Sequence, residues 1–150
     1  MKKFVWRLQK VLEVNEKRQQ AKKAELFKIT EKLAIARANL LAQQRILQDL
    51  IEDVAKIKPT ERIDKQQLLL KSTKKNDDLI REYEDQIRQL EMDQKRLTDE
   101  FLKIKKFTES LKKLREQDKQ KFILEQEKIE QKEMDEHTSM RFAGRLTHNT

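Results

Sequence analysis

The sequence has almost none of the residues that reverse a protein chain. Its 150 residues include one glycine, one proline and no cysteine. Because turns draw heavily on Gly and Pro, the chain is expected to reverse direction only once or twice, which argues against an ordinary globular fold. The absence of cysteine excludes a disulfide framework and a thiolate metal site.

Long apolar runs are also missing. No segment approaches the roughly 20 apolar residues that span a bilayer. The apolar run near the N-terminus is too short for a signal peptide. We therefore expect a soluble, intracellular protein with no transmembrane segment.

Charged residues make up 41% of the chain and aromatic residues 5%. This composition is typical either of long helices and coiled coils or of disorder. A heptad pattern decides between them: of the sixteen positions spaced alternately three and four apart from Val5 to Ile57, twelve are apolar. A second such series runs from Ile80 to Leu111, with eight of ten positions apolar. Sustained spacing of this kind predicts the buried seam of a coiled coil.

One break separates the two seams, at Lys58, Pro59 and Thr60. Proline cannot donate an intrahelical hydrogen bond and disfavours helix in the residue before it. The sequence therefore predicts a single all-α domain over 1–150, a long antiparallel two-helix coiled-coil hairpin. Helix 1 is expected at about 3–57, the turn at 58–64, helix 2 at 65–141 with its end overhanging helix 1, and a frayed tail at 142–150. Position i of helix 1 should lie opposite about position 121 − i.

Irregularities are expected along both seams. In helix 2 the heptad pattern is irregular between residues 64 and 79. Further along, Phe107 and Leu114 suggest a shift of register around Leu111. In helix 1, three polar residues interrupt the seam in succession: Asn15, Gln19 and Lys22. They either fix the register or mark a stretch that is presented to a partner, and both interpretations stay open.

The net charge of +8 is concentrated in two segments. Residues 1–25 and residues 103–121 each contain eight basic and three acidic side chains. The hairpin would bring these segments together as a surface that attracts an acidic partner. Nucleic acid is not expected as that partner, since stacking aromatics and a helix free to enter a groove are missing.

No motif for catalysis is present. A glycine-rich phosphate loop is excluded by the single glycine, and a two-helix hairpin offers no enclosed pocket. We predict that the protein is not an enzyme and has no catalytic residue, cofactor or metal site. Large apolar residues off the seam, such as Trp6, Phe27 and Leu41, are instead expected to face outward and contact partners.

Two terminal motifs resemble those of a known family. Residues 4–12 read FVWRLQKVL, and residues 131–136 read QKEMDE, followed by Arg141. These are similar to the opening and closing segments of FliJ proteins of the bacterial flagellar export apparatus. The resemblance covers about the whole chain and agrees with its length and two-helix layout.

The resemblance implies a cytoplasmic protein, peripheral at the inner face of the membrane. It would act as a stalk-like coiled coil that binds the flagellar export ATPase, the cytoplasmic domain of the export-gate membrane protein and export chaperones. The ATPase-binding residues implied are Trp6, Arg7, Lys10, Lys17, Arg18, Lys22, Lys23, Met134, Asp135, Glu136 and Arg141. The residues implied for the export gate are Leu41, Gln44 and Leu68.

Two other functions stay open. One is an adaptor or chaperone for export substrates or chaperones, including the equivalent protein of a virulence type III secretion system. The other is a generic structural coiled coil. The oligomeric state is not fixed by the sequence, although the single break and the matching seams favour a monomeric hairpin.

Overall fold

Two long helices make up nearly all of the fold. A computed structural model describes residues 2–57 and 62–148. In this part of the chain, α1 spans Gln9–Ala55, α2 spans Arg62–His148, and there is no strand. The predicted all-α fold is therefore confirmed. Of the turn predicted at 58–64, residues 58–61 lie outside the described residues, and α2 begins at Arg62 rather than near 65.

The N-terminal segment differs from the expected start of helix 1. Residues 2–8 precede α1, and the side chains of Phe4 and Trp6 are partly or fully buried while Val5 is 86% exposed. The alternation is typical of extended backbone, in which successive side chains point to opposite sides. The prediction that Val5 opens the helical seam is therefore wrong, and the first buried seam position in α1 is Leu12.

The seam of α1 otherwise follows the predicted heptad spacing. From Leu8 to Ile57, each position of the series is buried or half-buried. Leu12, Leu33 and Ala36 are the most deeply buried apolar residues of the helix. A fully buried leucine contributes about 1.5–3 kcal/mol, so these positions contribute strongly to the packing of α1 on α2.

The seam of α2 is more regular than the sequence suggested. Between residues 64 and 79 it runs through Leu69, Thr73 and Asn76, all buried or half-buried, and joins Ile80 without a gap. The sequence pattern is irregular here because two of these seam positions, Thr73 and Asn76, are polar. Asn76 is buried, and its Nδ2 donates to the Gln43 carbonyl of α1 at 3.1 Å, while its Oδ1 has no hydrogen-bond partner among the described residues.

The predicted register shift beyond Leu111 is also wrong. The spacing of three and four continues from Leu111 through Arg115 and Asp118 to Phe122, all buried or half-buried. Two of these positions are polar. Asp118 accepts a hydrogen bond from Trp6 of the N-terminal segment, and Arg115 donates one to Gln9 at the start of α1. Phe107 is therefore outside the seam.

The chain forms two compact units, and the first contains both chain ends. This terminal unit comprises Met1–Gln19 and Lys103–Thr150. Its core is formed by Trp6, Leu12 and Leu111, with Phe4 and Leu8 packed against them. Contacts between the segments run in opposite directions: Trp6 bonds to Asp118, Gln9 to Arg115, and Glu16 to Lys112.

The middle unit comprises Gln20–Leu102. Its core is formed by Leu33, Ala36 and Leu90, with Ile29 and Ile87 packed against them. Here too the contacts between the helices run in opposite directions, because Lys22 bonds to Glu100, Arg37 to Glu91, and Asn76 to Gln43. The two helices therefore pack antiparallel, and the predicted helical hairpin is confirmed.

The last part of α2 has no counterpart on α1. Residues 127–147 are all exposed, and the helix continues to His148 rather than ending near residue 141. An α-helix satisfies its backbone groups internally, so it extends without packing, and Thr147 adds a bond from Oγ1 to the Ala143 carbonyl at 3.2 Å. We call residues 127–147 the overhang.

Candidate protein-binding surface

Four of the predicted basic residues are exposed in the terminal unit. Arg7 lies in the turn before α1, and Lys10, Lys17 and Arg18 lie on α1 itself. Lys10 and Lys17 are one heptad apart, so they share a face of the helix, and both stand at the heptad position opposite the seam. This face is available to an acidic partner.

Lys22 of the middle unit is placed differently. Its Nζ donates to Glu100 Oε2 of α2 at 2.8 Å and lies 3.5 Å from Glu25 Oε2. Lys22 is half-buried, whereas its neighbour Lys23 is exposed. Lys22 therefore forms a contact between the two helices and is not presented to a partner. The charge accessible to a partner is that of Lys23.

The ion pair shifts the ionisation of both partners. The hydrogen bond with Glu100 raises the pKa of Lys22, against an opposing desolvation effect. The same bond lowers the pKa of the Glu100 carboxyl, with help from Arg96. The charged forms of both side chains are therefore stabilised in the fold.

Asn15 also stays inside the hairpin. Its side chain is 8% exposed, and its Nδ2 donates to the Val11 carbonyl of the same helix at 2.8 Å. The bond satisfies the amide within α1 rather than across the seam. Asn15 is therefore not presented to a partner.

Trp6 does not face outward, and that expectation is wrong. The side chain is 5% exposed, and its Nε1 donates to Asp118 Oδ2 at 2.9 Å. The indole packs with Leu12 and Leu111 because the N-terminal segment folds back onto α2. A buried indole needs a hydrogen-bond partner, and Asp118 supplies it.

Phe4 packs against the same cluster as Trp6. Its ring lies 5.5 Å from that of Phe122, and the Arg115 guanidinium carbon is 6.0 Å from the centre of the Phe4 ring. Arg115 Nε also donates to Gln9 Oε1 at 3.1 Å. Together with Trp6 and Asp118, these contacts attach the N-terminal segment to α2; we call them the N-terminal clasp. The sequence signal for the clasp is the alternation of Phe4 and Trp6, which the heptad reading overlooked.

The predicted residues near the C-terminus lie on the overhang. Met134, Asp135, Glu136 and Arg141 are all exposed. Met134 and Arg141 are one heptad apart and share a face, while Asp135 and Glu136 turn to neighbouring sides. This face belongs to the terminal unit, as do Lys10 and Lys17.

The residues predicted for the export gate are exposed in the middle unit. Leu41 is 52% exposed and Leu68 is 67% exposed, and Gln44 is exposed as well. Leu41 and Gln44 are three residues apart on α1 and therefore neighbours on its surface. Leu68 lies on α2.

A further apolar surface surrounds Phe27, which is 66% exposed as expected. The stems of Lys23 and Lys28 and the side chain of Ala24 line an open groove beside its ring.

Neither described helix has a stretch apolar enough to cross a membrane.

These features define a class of protein: an antiparallel helical hairpin with exposed charged and apolar faces. A sequence model described as "Flagellar FliJ protein" matches residues 3–147. The chain belongs to the FliJ family, a family of flagellar export apparatus proteins. No curated protein and no solved structure matches the chain.

Proposed function

We propose that this protein is a stalk-like component of flagellar export that binds the export ATPase and couples it to the export gate. The family match over residues 3–147 carries the proposal, because it covers both helices. A packed helical hairpin transmits position along its length, and it needs no catalytic group to do so. The protein would work in the cytoplasm, at the inner face of the membrane.

The ATPase would be contacted mainly through the terminal unit. Lys10 and Lys17 present two positive charges on one exposed face of α1. Exposed charges of one sign accelerate encounters with a surface of the opposite sign. The partner surface is therefore expected to be acidic, with the overhang providing Met134 and Arg141 as further contacts.

The export gate would be contacted through the middle unit. Leu41 and Leu68 are large apolar residues that the packing of the helices leaves exposed. Contiguous apolar patches mark protein interfaces, and the two leucines would each contribute to such a patch. Gln44, beside Leu41, would add a polar contact at the edge.

A second candidate function is an adaptor for export substrates or chaperones. It is favoured by apolar residues of the overhang that have no packing partner on α1, among them Met140 at 75% exposed and Phe142 at 65% exposed. Methionine adapts its shape to different partners, which suits a surface that holds several clients. In this function the stimulation of an ATPase plays no part.

A charge-reversal variant separates the two functions. Lys10→Glu combined with Lys17→Glu alters one exposed face and leaves the Lys22–Glu100 pair intact. The matched control is Lys74→Glu with Arg81→Glu, an exposed pair with the same spacing on α2. The stalk function predicts that only the first variant loses stimulation of the purified flagellar export ATPase, while both still bind export chaperones. Equal stimulation by both variants would contradict the proposed contact face.

A further inference from the structure

An exposed lysine-rich face on α2 has no role in the function proposed above. Two triplets repeat one heptad apart: Lys105-Lys106-Phe107 and Lys112-Lys113-Leu114. Phe107 is 50% exposed and Leu114 is 38% exposed. Because the seam runs through Thr108 and Leu111, both large apolar residues stand outside it.

The two apolar residues lie on the same strip of helix surface. Residues one heptad apart stand above one another, at about 10.5 Å along the axis. Lys121 continues the strip at the same heptad position. Lys106 and Lys113 border it, and Lys103 lies one turn before Phe107. We call these six residues, Lys103, Lys106, Phe107, Lys113, Leu114 and Lys121, the lysine–apolar face.

The lysines of this face have no ion-pair partner among the described residues. Lys112 shows the contrast, because its Nζ lies 3.9 Å from Glu16 Oε1 on the other side of the seam. Glu109, Glu116 and Glu125 lie three or four residues from lysines of the face, but no ion pair joins them to these lysines in the described part of the chain. The face contains four lysines and no acidic residue of its own, so it presents a net positive charge.

α1 contributes an apolar neighbour to this side of the seam. Val11, which is 41% exposed, has the same heptad position on α1 as Leu114 has on α2. In an antiparallel pair these positions flank the same side of the seam. The charged pair Glu16 and Lys112 flanks the opposite side.

We propose that the lysine–apolar face binds an acidic amphipathic helix of a partner protein, as a third helix alongside α1 and α2. The heptad repeat matches the spacing at which such a helix presents its own apolar residues. Its flanking Asp and Glu residues would pair with Lys103, Lys106, Lys113 and Lys121. The inference does not depend on the identity of the ATPase or the export gate.

A membrane surface fits the face less well. Helices that lie in a bilayer interface bury a broad apolar face. Here Ser110 and Gln117 lie beside Phe107 and Leu114, so the apolar strip is only two residues long.

The test uses the full chain and a designed peptide as the probe. A fluorescein-labelled, three-heptad helix with leucines at its core positions and glutamates beside them is titrated with the protein, and its anisotropy is followed. The control peptide has the same leucines with lysines in place of the glutamates. Saturable binding of the first peptide alone is expected.

Matched variants locate the site. Lys103→Glu with Lys106→Glu is compared with Lys71→Glu and Lys74→Glu, a pair with the same spacing elsewhere on α2. The first pair should weaken binding at least about tenfold and the second less than about twofold. Phe107→Ser should weaken binding of the acidic peptide as well. Its circular dichroism spectrum should match that of the wild type, which shows that the variant is still helical.

Several outcomes would overturn the proposal. They are equal binding of both peptides, equal effects of the two lysine pairs, and no binding of the acidic peptide. Binding of anionic lipid vesicles or duplex DNA that displaces the peptide and depends on Lys103 and Lys106 would also overturn it. Because no ATPase is present, failure here is distinct from failure of the proposed stalk function.

Discussion

At the scale of single residues, burial separates the seam positions, which stabilise the hairpin, from the apolar residues outside the seam. Leu33 is 2% exposed, whereas Ile46, an apolar residue of the same helix, is 46% exposed. The heptad spacing predicted this contrast. It did not predict that Thr108, also at 2%, would tolerate burial by donating from Oγ1 to the Ile104 carbonyl at 2.9 Å.

Truncation of Leu33 is expected to destabilise the hairpin strongly. Leu33→Ala should lower the free energy of unfolding by about 2–5 kcal/mol, because it removes buried apolar surface and leaves a cavity against Ala36 and Leu90. Ile46→Ala is the control and should change it by less than about 1 kcal/mol. Urea unfolding followed by circular dichroism measures both. Equal effects would show that the middle core does not stabilise the fold.

The pair of Lys22 and Glu100 predicts a dependence of stability on pH. The pKa of Glu100 is lowered, so its contribution is present above the ordinary value of 4.5 and is lost as the pH falls through the folded value. The pKa of Lys22 is raised, so its contribution is complete below 10.5 and is lost as the pH rises through the folded value.

Glu100→Gln should therefore lower the melting temperature slightly at neutral pH and have a smaller effect at about pH 3. The effect is small because both side chains are partly in contact with solvent. Glu82→Gln, at an exposed position of the same helix, is the control. Thermal unfolding at the two pH values measures the difference. A decrease of the same size at both would show that the ion pair is not the cause.

At the scale of elements, the sequence predicted two helices because the heptad signal is long and the helix breakers are few. It missed the N-terminal clasp, because Phe4 and Trp6 are buried through tertiary contacts with Phe122 and Asp118, far away in the sequence. It also suggested a register shift at Leu114, since apolar character alone does not reveal which of two neighbouring stripes is buried. The exposure of the basic residues on α1 followed the pattern, and so did the partial burial of Lys22 at a seam position, although its partner on α2 was not predicted.

The overhang and the middle of α2 are expected to differ in local stability. Residues 127–147 are exposed on all sides, whereas the helix between Leu90 and Leu111 buries its seam. An unpaired helix opens more readily than a packed one. Hydrogen exchange followed by mass spectrometry should therefore show faster exchange in the overhang than between residues 90 and 111. Equal protection in the isolated protein would contradict its description as an unpaired helix.

At the scale of the whole molecule, the family assignment and the helical hairpin give one coherent account. The helices are held by a continuous seam, and the residues proposed for partners stand mostly outside it. Trp6 and Lys22 are exceptions, since each is bound within the hairpin. The sequence predicted the charge and periodicity of this design, but the internal partners of these two side chains required the structure.

The central claim is that the protein acts on the export ATPase. The most direct measurement is a titration of the wild-type protein into the purified flagellar export ATPase, following ATP hydrolysis and the fraction of hexamer together. The account predicts that both rise and saturate. Hydrolysis and assembly that do not change at any concentration, with binding to export chaperones still detectable, would contradict the stalk function and favour the adaptor.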